Sequence, residues 1–207
     1  MNPIPVKLYS DFICPYCFIG ERVIEQLSAK FPIDIEWTGY EIHPEIPYGG
    51  MSLHSFGGDF MDGLWQRIAP LAESYGVKID RPSVVANTHL ALEGAEFARE
   101  AGKEALAKYR RGVFDAYFLE GKDIGDHAVL TEIAGKAGLE RAAFSKALDE
   151  GTFFDKVQDN REEALDNLVT GVPTTVIFGA RIIGAQSPQV FEQAFERALE
   201  GKLAPAE

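Results

Sequence analysis

The only two cysteines of this 207-residue chain stand three residues apart, as Cys14-Pro15-Tyr16-Cys17. They fall between a stretch that alternates like a strand and one that repeats like a helix. Residues 5–10 set Val6, Leu8 and Ser10 against Lys7 and Tyr9, the period-two pattern of a half-buried strand. Pro15 suits the first turn of a helix, where a missing N–H costs nothing. Ile19, Val23 and Leu27 then recur every four residues and predict a helix lasting to Phe31, before Pro32 ends it. Residues 33–38 alternate Ile33, Ile35 and Trp37 with Asp34 and Glu36, a second strand. The dithiol therefore sits at the strand-to-helix junction of a βαβ unit, the context that lifts a C-x-x-C above background.

That junction assigns each sulfur a task. The thiolate is the attacking species, and a helix N-terminus favours an anion through its dipole and its unpaired N–H groups. Cys14 occupies that position. Cys17 lies one turn inside, within disulfide reach but more deeply placed. Cys14 is expected to attack a substrate sulfur and Cys17 to resolve the mixed disulfide. Pro15 fixes the turn, and the ring of Tyr16 can line the approach to Cys14.

Two plainer readings of the pair compete with chemistry. A closed zinc site needs four ligands, and His43, His54, His89 and His127 lack the spacing to complete one, so no metal is expected. A structural disulfide has no role in a reducing cytosol in a chain of this size. A buried pair of structural thiols is disfavoured by the position directly after the first strand.

Residues 40–55 are rich in Pro, Gly and His and read as a loop and as the place where the organisation changes. Helical patterns follow. One covers residues 60–75, broken by Pro70. Leu90, Phe97 and Ala101 mark a second, and Leu106, Tyr109, Val113 and Tyr117 a third. Asp126 is an N-cap for a helix carrying Leu130, Ile133 and Ala137, closed by Gly138. Two more helices are expected around residues 142–150 and 154–168. The pattern changes again at Gly171. Residues 174–178 (TTVIF) read as a strand with Pro173 tolerated at its start, Gly179-Ala180 as a turn, and residues 181–183 as a partner strand. Ser187 caps a last helix with Pro188 at its first position and Val190, Phe191, Ala194, Phe195 and Ala198 on its apolar face. The acidic tail, residues 203–207, is expected to fray. The order is βαβ, helical block, ββα: an α/β chain with residues 1–42 and 165–207 in one domain and 43–164 as an all-helical insertion.

The formal net charge of −12 argues against nucleic acid, whose binding needs a basic patch to release counterions. Residues 1–8 carry no charged region followed by an apolar run, and no apolar stretch is long enough for a bilayer, so a cytoplasmic protein without membrane contact is expected. Among softer candidates, Asp11 lies near Cys17 in sequence and is either a proton acceptor or a loop residue. Asn87 reads first as an N-cap, and His89 as a satisfied core histidine, with the further expectation that both face the dithiol. Trp37 and Trp65 read as core.

With strand-CPYC-helix at one end and Gly171-Val172-Pro173-Thr174 leading a strand at the other, the chain resembles thioredoxin-like proteins, and among them the DsbA-like oxidoreductases of FrnE type. The run from Ser10 to Gly20, the stretch Asn87-Thr88-His89, and Ile183-Gly184-Ala185-Gln186 carry the same resemblance, which spans nearly the whole chain. It implies a thioredoxin-like fold with a helical insertion, a cis Val172–Pro173 bond packed beside the dithiol, and a Val172 backbone that offers strand-like hydrogen bonds to a substrate. It also implies thiol–disulfide exchange or isomerisation on a protein or small-molecule disulfide, with no bound cofactor. Two departures stand out. Some relatives carry further cysteines for a second redox pair, which this chain lacks. Its Pro-Tyr dipeptide is typical of glutaredoxins, whereas periplasmic DsbA proteins have Pro-His, which weakens a strongly oxidising role. The alternative enzyme is a glutathione-dependent isomerase or transferase, resembling the 2-hydroxychromene-2-carboxylate isomerases and the kappa class. Glutathione would then be a co-substrate, but those enzymes typically place a serine where Cys14 stands. A third reading is a binding or chaperone module with an idle dithiol. Monomer and homodimer stay open, the helical block serving as lid or as dimer face.

Overall fold

In the computed structural model, which describes residues 3–203, the Cys-Pro-Tyr-Cys segment joins β1 (Ile4–Ser10) to α1 (Pro15–Ser28). The helix returns the chain to β2 (Ile33–Gly39), which pairs parallel with β1 from Ile4↔Ile33 to Ser10↔Gly39. Helix α1 stops at Ser28, short of the expected Phe31, because the amides of Lys30 and Phe31 both turn back to the Leu27 carbonyl. Phe31 is thereby freed to pack on Phe195.

Seven further helices and four further strands follow among the described residues. They are β3 (Met51–Ser52), α2 (Leu53–Ser74), β4 (Val84–Val85), α3 (His89–Glu100), α4 (Lys103–Phe118), α5 (His127–Lys136), α6 (Arg141–Asp149), α7 (Phe154–Asp166), β5 (Thr174–Ile177), β6 (Ala180–Ile183) and α8 (Pro188–Leu199). The main sheet has the order β2-β1-β5-β6, with β5 antiparallel to β1 and β6 antiparallel to β5. Its alternation decides what covers each face. Ile4, Val6 and Leu8 join the large buried cluster with α1 and with Phe191 and Phe195 of α8, while Tyr9 faces the other way, against Tyr40, Ala164 and Val169. This is a thioredoxin-like α/β fold.

Two expectations need correction. The stretch between β2 and β5 is not wholly helical, since β3 and β4 pair antiparallel as a two-stranded sheet. Helix α2 is not broken at Pro70. It starts at Leu53, inside the expected loop, because the Ser52 side chain accepts from Ser55 N, and it continues through Pro70 to Ser74. Its kink falls instead at Gly57, whose φ of 126° is open to glycine at little cost. Asp126 caps α5 as expected, accepting from Ala128 N and Val129 N. Ser187 stands at the N-cap of α8 without a side-chain cap bond. Of the acidic tail, residues 204–207 lie outside the described residues, as do residues 1 and 2.

Trp37 is fully buried, its ring tilted against Phe12 at 5.3 Å, and Phe12 meets Phe114 edge-on at 5.0 Å. Phe18 of α1 reaches Phe114 and Phe118 of α4 at 5.9 and 5.1 Å. One continuous apolar cluster thus runs from the sheet into the helices and holds the dithiol junction between them.

Candidate active site

Both cysteines are free and buried. Cys14 is the N-cap residue of α1, with Pro15 in the first turn, as the sequence pattern requires. Its thiol lies 3.6 Å from the carbonyl oxygen of Val172, so the loop before β5 reaches the dithiol across the whole length of the chain. The Val172–Pro173 bond is cis. Pro173 packs on α1 at Gly20, where a Cβ would lie 3.5 Å from the Pro173 ring. The Pro173 carbonyl accepts from Gly184 N at 2.8 Å, which ties the loop to the end of β6.

Cys17 is wholly inaccessible. Burial pushes its thiol well above the ordinary range, and the adjacent Cys14 pushes in the same direction. Against these act the backbone N–H of Asp11, which donates to the Cys17 sulfur at 3.5 Å, and the Ser10 hydroxyl. Two thiols three residues apart therefore differ sharply: one meets a cleft, the other is sealed behind it.

The cleft beside Cys14 has a volume of about 200 Å³ and is overwhelmingly apolar. Cys14, Pro15 and Tyr16 form one wall, Ile42 and His43 another, and Phe56, Phe60, Leu64 and Trp65 of α2 close it. The expectation that Trp65 is core is half met: it is buried, yet it also lines this cleft. Nothing in the sequence pattern distinguishes the cleft-lining face of α2 from a core face, since both are apolar at helical spacing.

Asp11 is completely buried and adjoins Cys17 through its main chain. Its carboxylate turns elsewhere and accepts from Ile42 N at 2.8 Å. Burial raises this carboxyl to about 6, partly offset by the Ile42 and Thr88 hydrogen bonds. Asn87 and His89 do not line the Cys14 cleft. They line a separate polar cavity of about 480 Å³ with Glu41, Tyr48, Phe154 and Arg161. Asn87 accepts from His89 N at 3.0 Å and donates to the Ile46 carbonyl at 2.6 Å, so it fastens the start of α3, whose N-cap position is Thr88. The His89 ring lies 3.0 Å from Glu41 and 3.7 Å from Glu93, both buried. Burial alone would lower His89, but the Glu41 and Glu93 carboxylates outweigh it and raise it above the ordinary histidine range. The two cavities part at the segment after β2, where Ile42 lines one and Glu41 the other.

A second polar network, not anticipated from sequence, backs Cys17. Glu21, four residues on and on the same face of α1, accepts from Trp37 Nε1 at 2.8 Å, from Ser10 Oγ at 3.3 Å and from Arg110 Nη2 at 3.2 Å. Its i, i+4 relation to Cys17 was the available signal. Among the described residues, no group of three or more His, Cys, Asp or Glu side chains is placed to hold a metal ion.

Comparison with known proteins gives three kinds of match. A family model described as a DSBA-like thioredoxin domain matches residues 5–196. The chain is 35% identical over 195 residues to the uncharacterized protein YwbO of Bacillus subtilis (strain 168), covering 92% of this chain and 95% of that one. A solved structure of a probable DsbA oxidoreductase from Streptomyces coelicolor superposes with a TM-score of 0.84 at 23% identity, over 99% of this chain and 93% of that one. A 2-hydroxychromene-2-carboxylate isomerase superposes with a TM-score of 0.78 at 20% identity, over 96% and 98% of the two chains.

Proposed function

Since the chain belongs to the family of DSBA-like thioredoxin domains, an oxidoreductase and isomerase family, we propose that it exchanges disulfides through Cys14 and Cys17. The Cys14 thiolate attacks a substrate disulfide, forming a mixed disulfide and releasing one substrate thiolate. Cys17 then attacks the Cys14 sulfur, giving the internal disulfide and the second substrate thiol. The reading rests on one observation: the N-cap sulfur of α1 meets both an apolar cleft and the Val172 carbonyl, while its partner is sealed behind it. Pro15, Tyr16, Val172 and Pro173 frame the substrate. The compartment we assign is the cytoplasm, where the glutathione pool favours the dithiol form.

Reduction of insulin disulfides tests the proposal. Cys14→Ser is expected to abolish turnover, and Cys17→Ser to accumulate mixed disulfides visible by mass spectrometry. A Cys14→Ser variant as active as the wild type overturns it.

The likeness to 2-hydroxychromene-2-carboxylate isomerase favours a second reading, a glutathione-dependent isomerase working in the same cleft. Under that reading glutathione is needed but not oxidised, and Cys17→Ser leaves turnover intact.

A further inference from the structure

Disulfide exchange leaves the polar cavity beside Glu41 unused, and that cavity holds opposite charges that do not meet. One face of α7 lines it with Phe154, Gln158 and Arg161, spaced four and three residues apart. The Arg161 guanidinium lies 6.0 Å from the centre of the Tyr40 ring, and no described residue makes an ion pair or hydrogen bond with it. Glu41, almost wholly buried, borders the same cavity. Its Oε2 meets His89 Nδ1 at 3.0 Å, and its Oε1 has no partner among the described residues.

Two further observations single out this wall. Five buried side-chain polar atoms lack a hydrogen-bond partner among the described residues, and two of them, His89 Nε2 and Arg161 Nε, belong to residues that line this cavity. Buried polar atoms are normally paired, so the wall is short of partners. The apolar part of the same wall is uncovered: Tyr48 is 66% exposed and Phe154 39%. Glu45, on the rim, is already held by His43 at 2.7 Å.

We propose that this cavity is a second ligand site, separate from the Cys14 cleft, for a free α-amino acid with an aromatic or large apolar side chain. Its carboxylate pairs with Arg161, its ammonium group with Glu41 Oε1, and its side chain covers the rings of Tyr48 and Phe154. The charges choose this class. A simple acid leaves Glu41 Oε1 unmet and sets a second negative charge beside it. A simple amine leaves Arg161 unmet. A peptide segment brings neither charge, and a peptide terminus only one. A free amino acid carries both on one carbon, and charge-assisted hydrogen bonds of this kind are the strong ones. The volume of about 480 Å³ falls within the range of small-molecule sites.

Isothermal titration of the reduced protein with four probes tests the site. L-Phenylalanine is expected to bind one to one. Phenethylamine lacks the carboxylate, 3-phenylpropionate the ammonium group and glycine the side chain, and each should bind at least about tenfold more weakly, as the loss of one charge-assisted bond or of one buried ring implies. Arg161→Gln should weaken phenylalanine about tenfold and leave phenethylamine as it was, a split that a merely structural role would not produce. Tyr48→Ser, at an exposed position, should bring phenylalanine down toward glycine. Carbamidomethylation of Cys14 should leave phenylalanine binding intact. The proposal is overturned if phenylalanine gives no heat of binding, if it binds no tighter than the amine or the acid, if Arg161→Gln binds it as well as the wild type, or if blocking Cys14 abolishes binding. None of these outcomes involves disulfide turnover, so the exchange reading stands or falls separately on insulin reduction.

Discussion

Two cavities flank the segment that follows β2, and they differ in almost everything but location. On one side Ile42 and His43 border an apolar cleft of about 200 Å³ that holds the Cys14 sulfur. On the other, Glu41 borders a polar cavity of about 480 Å³ that holds Asn87 and His89. The polar one is larger and richer in titratable groups, yet its buried core is held by internal contacts: Glu41 and Glu93 meet His89, and Asn87 fastens the backbone. The apolar one leaves its sulfur as the reactive group in surroundings that offer a substrate burial and little competition. A cluster of ionisable residues is thus the scaffold here, and under the exchange reading the plain wall is where the chemistry falls.

The sharpest way to break that contrast is His89→Leu. It leaves the buried Glu41 and Glu93 carboxyl groups without the imidazole between them, and removing one partner from a buried pair costs about 3–5 kcal/mol. Urea unfolding should show a loss of that order, while thiol exchange per folded molecule stays unchanged. Intact stability with lost exchange would make the polar cavity part of the active site and dissolve the distinction.

Asp11 sits on the border, its backbone toward Cys17 and its carboxylate toward Ile42, so its titration measures how dry that border is. The folded value of about 6 lies above the ordinary 3.8. A carboxyl raised on folding stabilises most below its unfolded value and loses that contribution as pH rises through the folded one. Between about pH 4 and pH 6 the wild type should therefore lose about 3 kcal/mol from this group. Asp11→Asn keeps an acceptor for Ile42 N and should flatten that window, leaving the variant more stable at pH 7. His89, also raised, adds a loss of the same sign above its ordinary 6.5. A wild-type profile that is flat from pH 4 to 6 would mean that water reaches Asp11.

Much of this arrangement was legible before any coordinates, and the reason is local. The period-two runs, Pro15, Ile19, Val23 and Leu27 specify β1, α1 and β2 through rules that span a few residues, and the position of Cys14 follows from them. The β5–β6 hairpin, with the turn at Gly179 between its strands, is local in the same way. Legibility fails where partners are distant. Whether Asn87 and His89 face Cys14 depends on how α3 meets the chain after β2, some 45 residues earlier, and helical periodicity carries no such information. Glu21 was not singled out from the sequence, because its three donors come from β1, β2 and α4. The course of α2 through Pro70 is a third case, with tertiary packing of Trp65, Ile68 and Ala72 outweighing the missing amide.

The smallest expected effect tests the apolar side alone. Phe60 borders the cleft but is 63% exposed, so it contributes little to the folded state. Phe60→Ser should shift urea unfolding by no more than about 0.5 kcal/mol, the usual scale for an exposed site. Its ring nonetheless supplies apolar surface to whatever enters beside Cys14. Losing part of that surface should raise KM a few-fold for a benzyl-bearing disulfide while leaving glutathione disulfide unaffected, as follows from about 25 cal/mol per Å² of buried apolar area. The paired probes matter because each chemistry is the other's control: both require Cys14, and only one requires an apolar wall. Equal losses for both would mean that Phe60 holds the α1–α2 wall in place rather than meeting substrate, and the cleft would then owe its selectivity to Ile42 and Leu64 deeper inside.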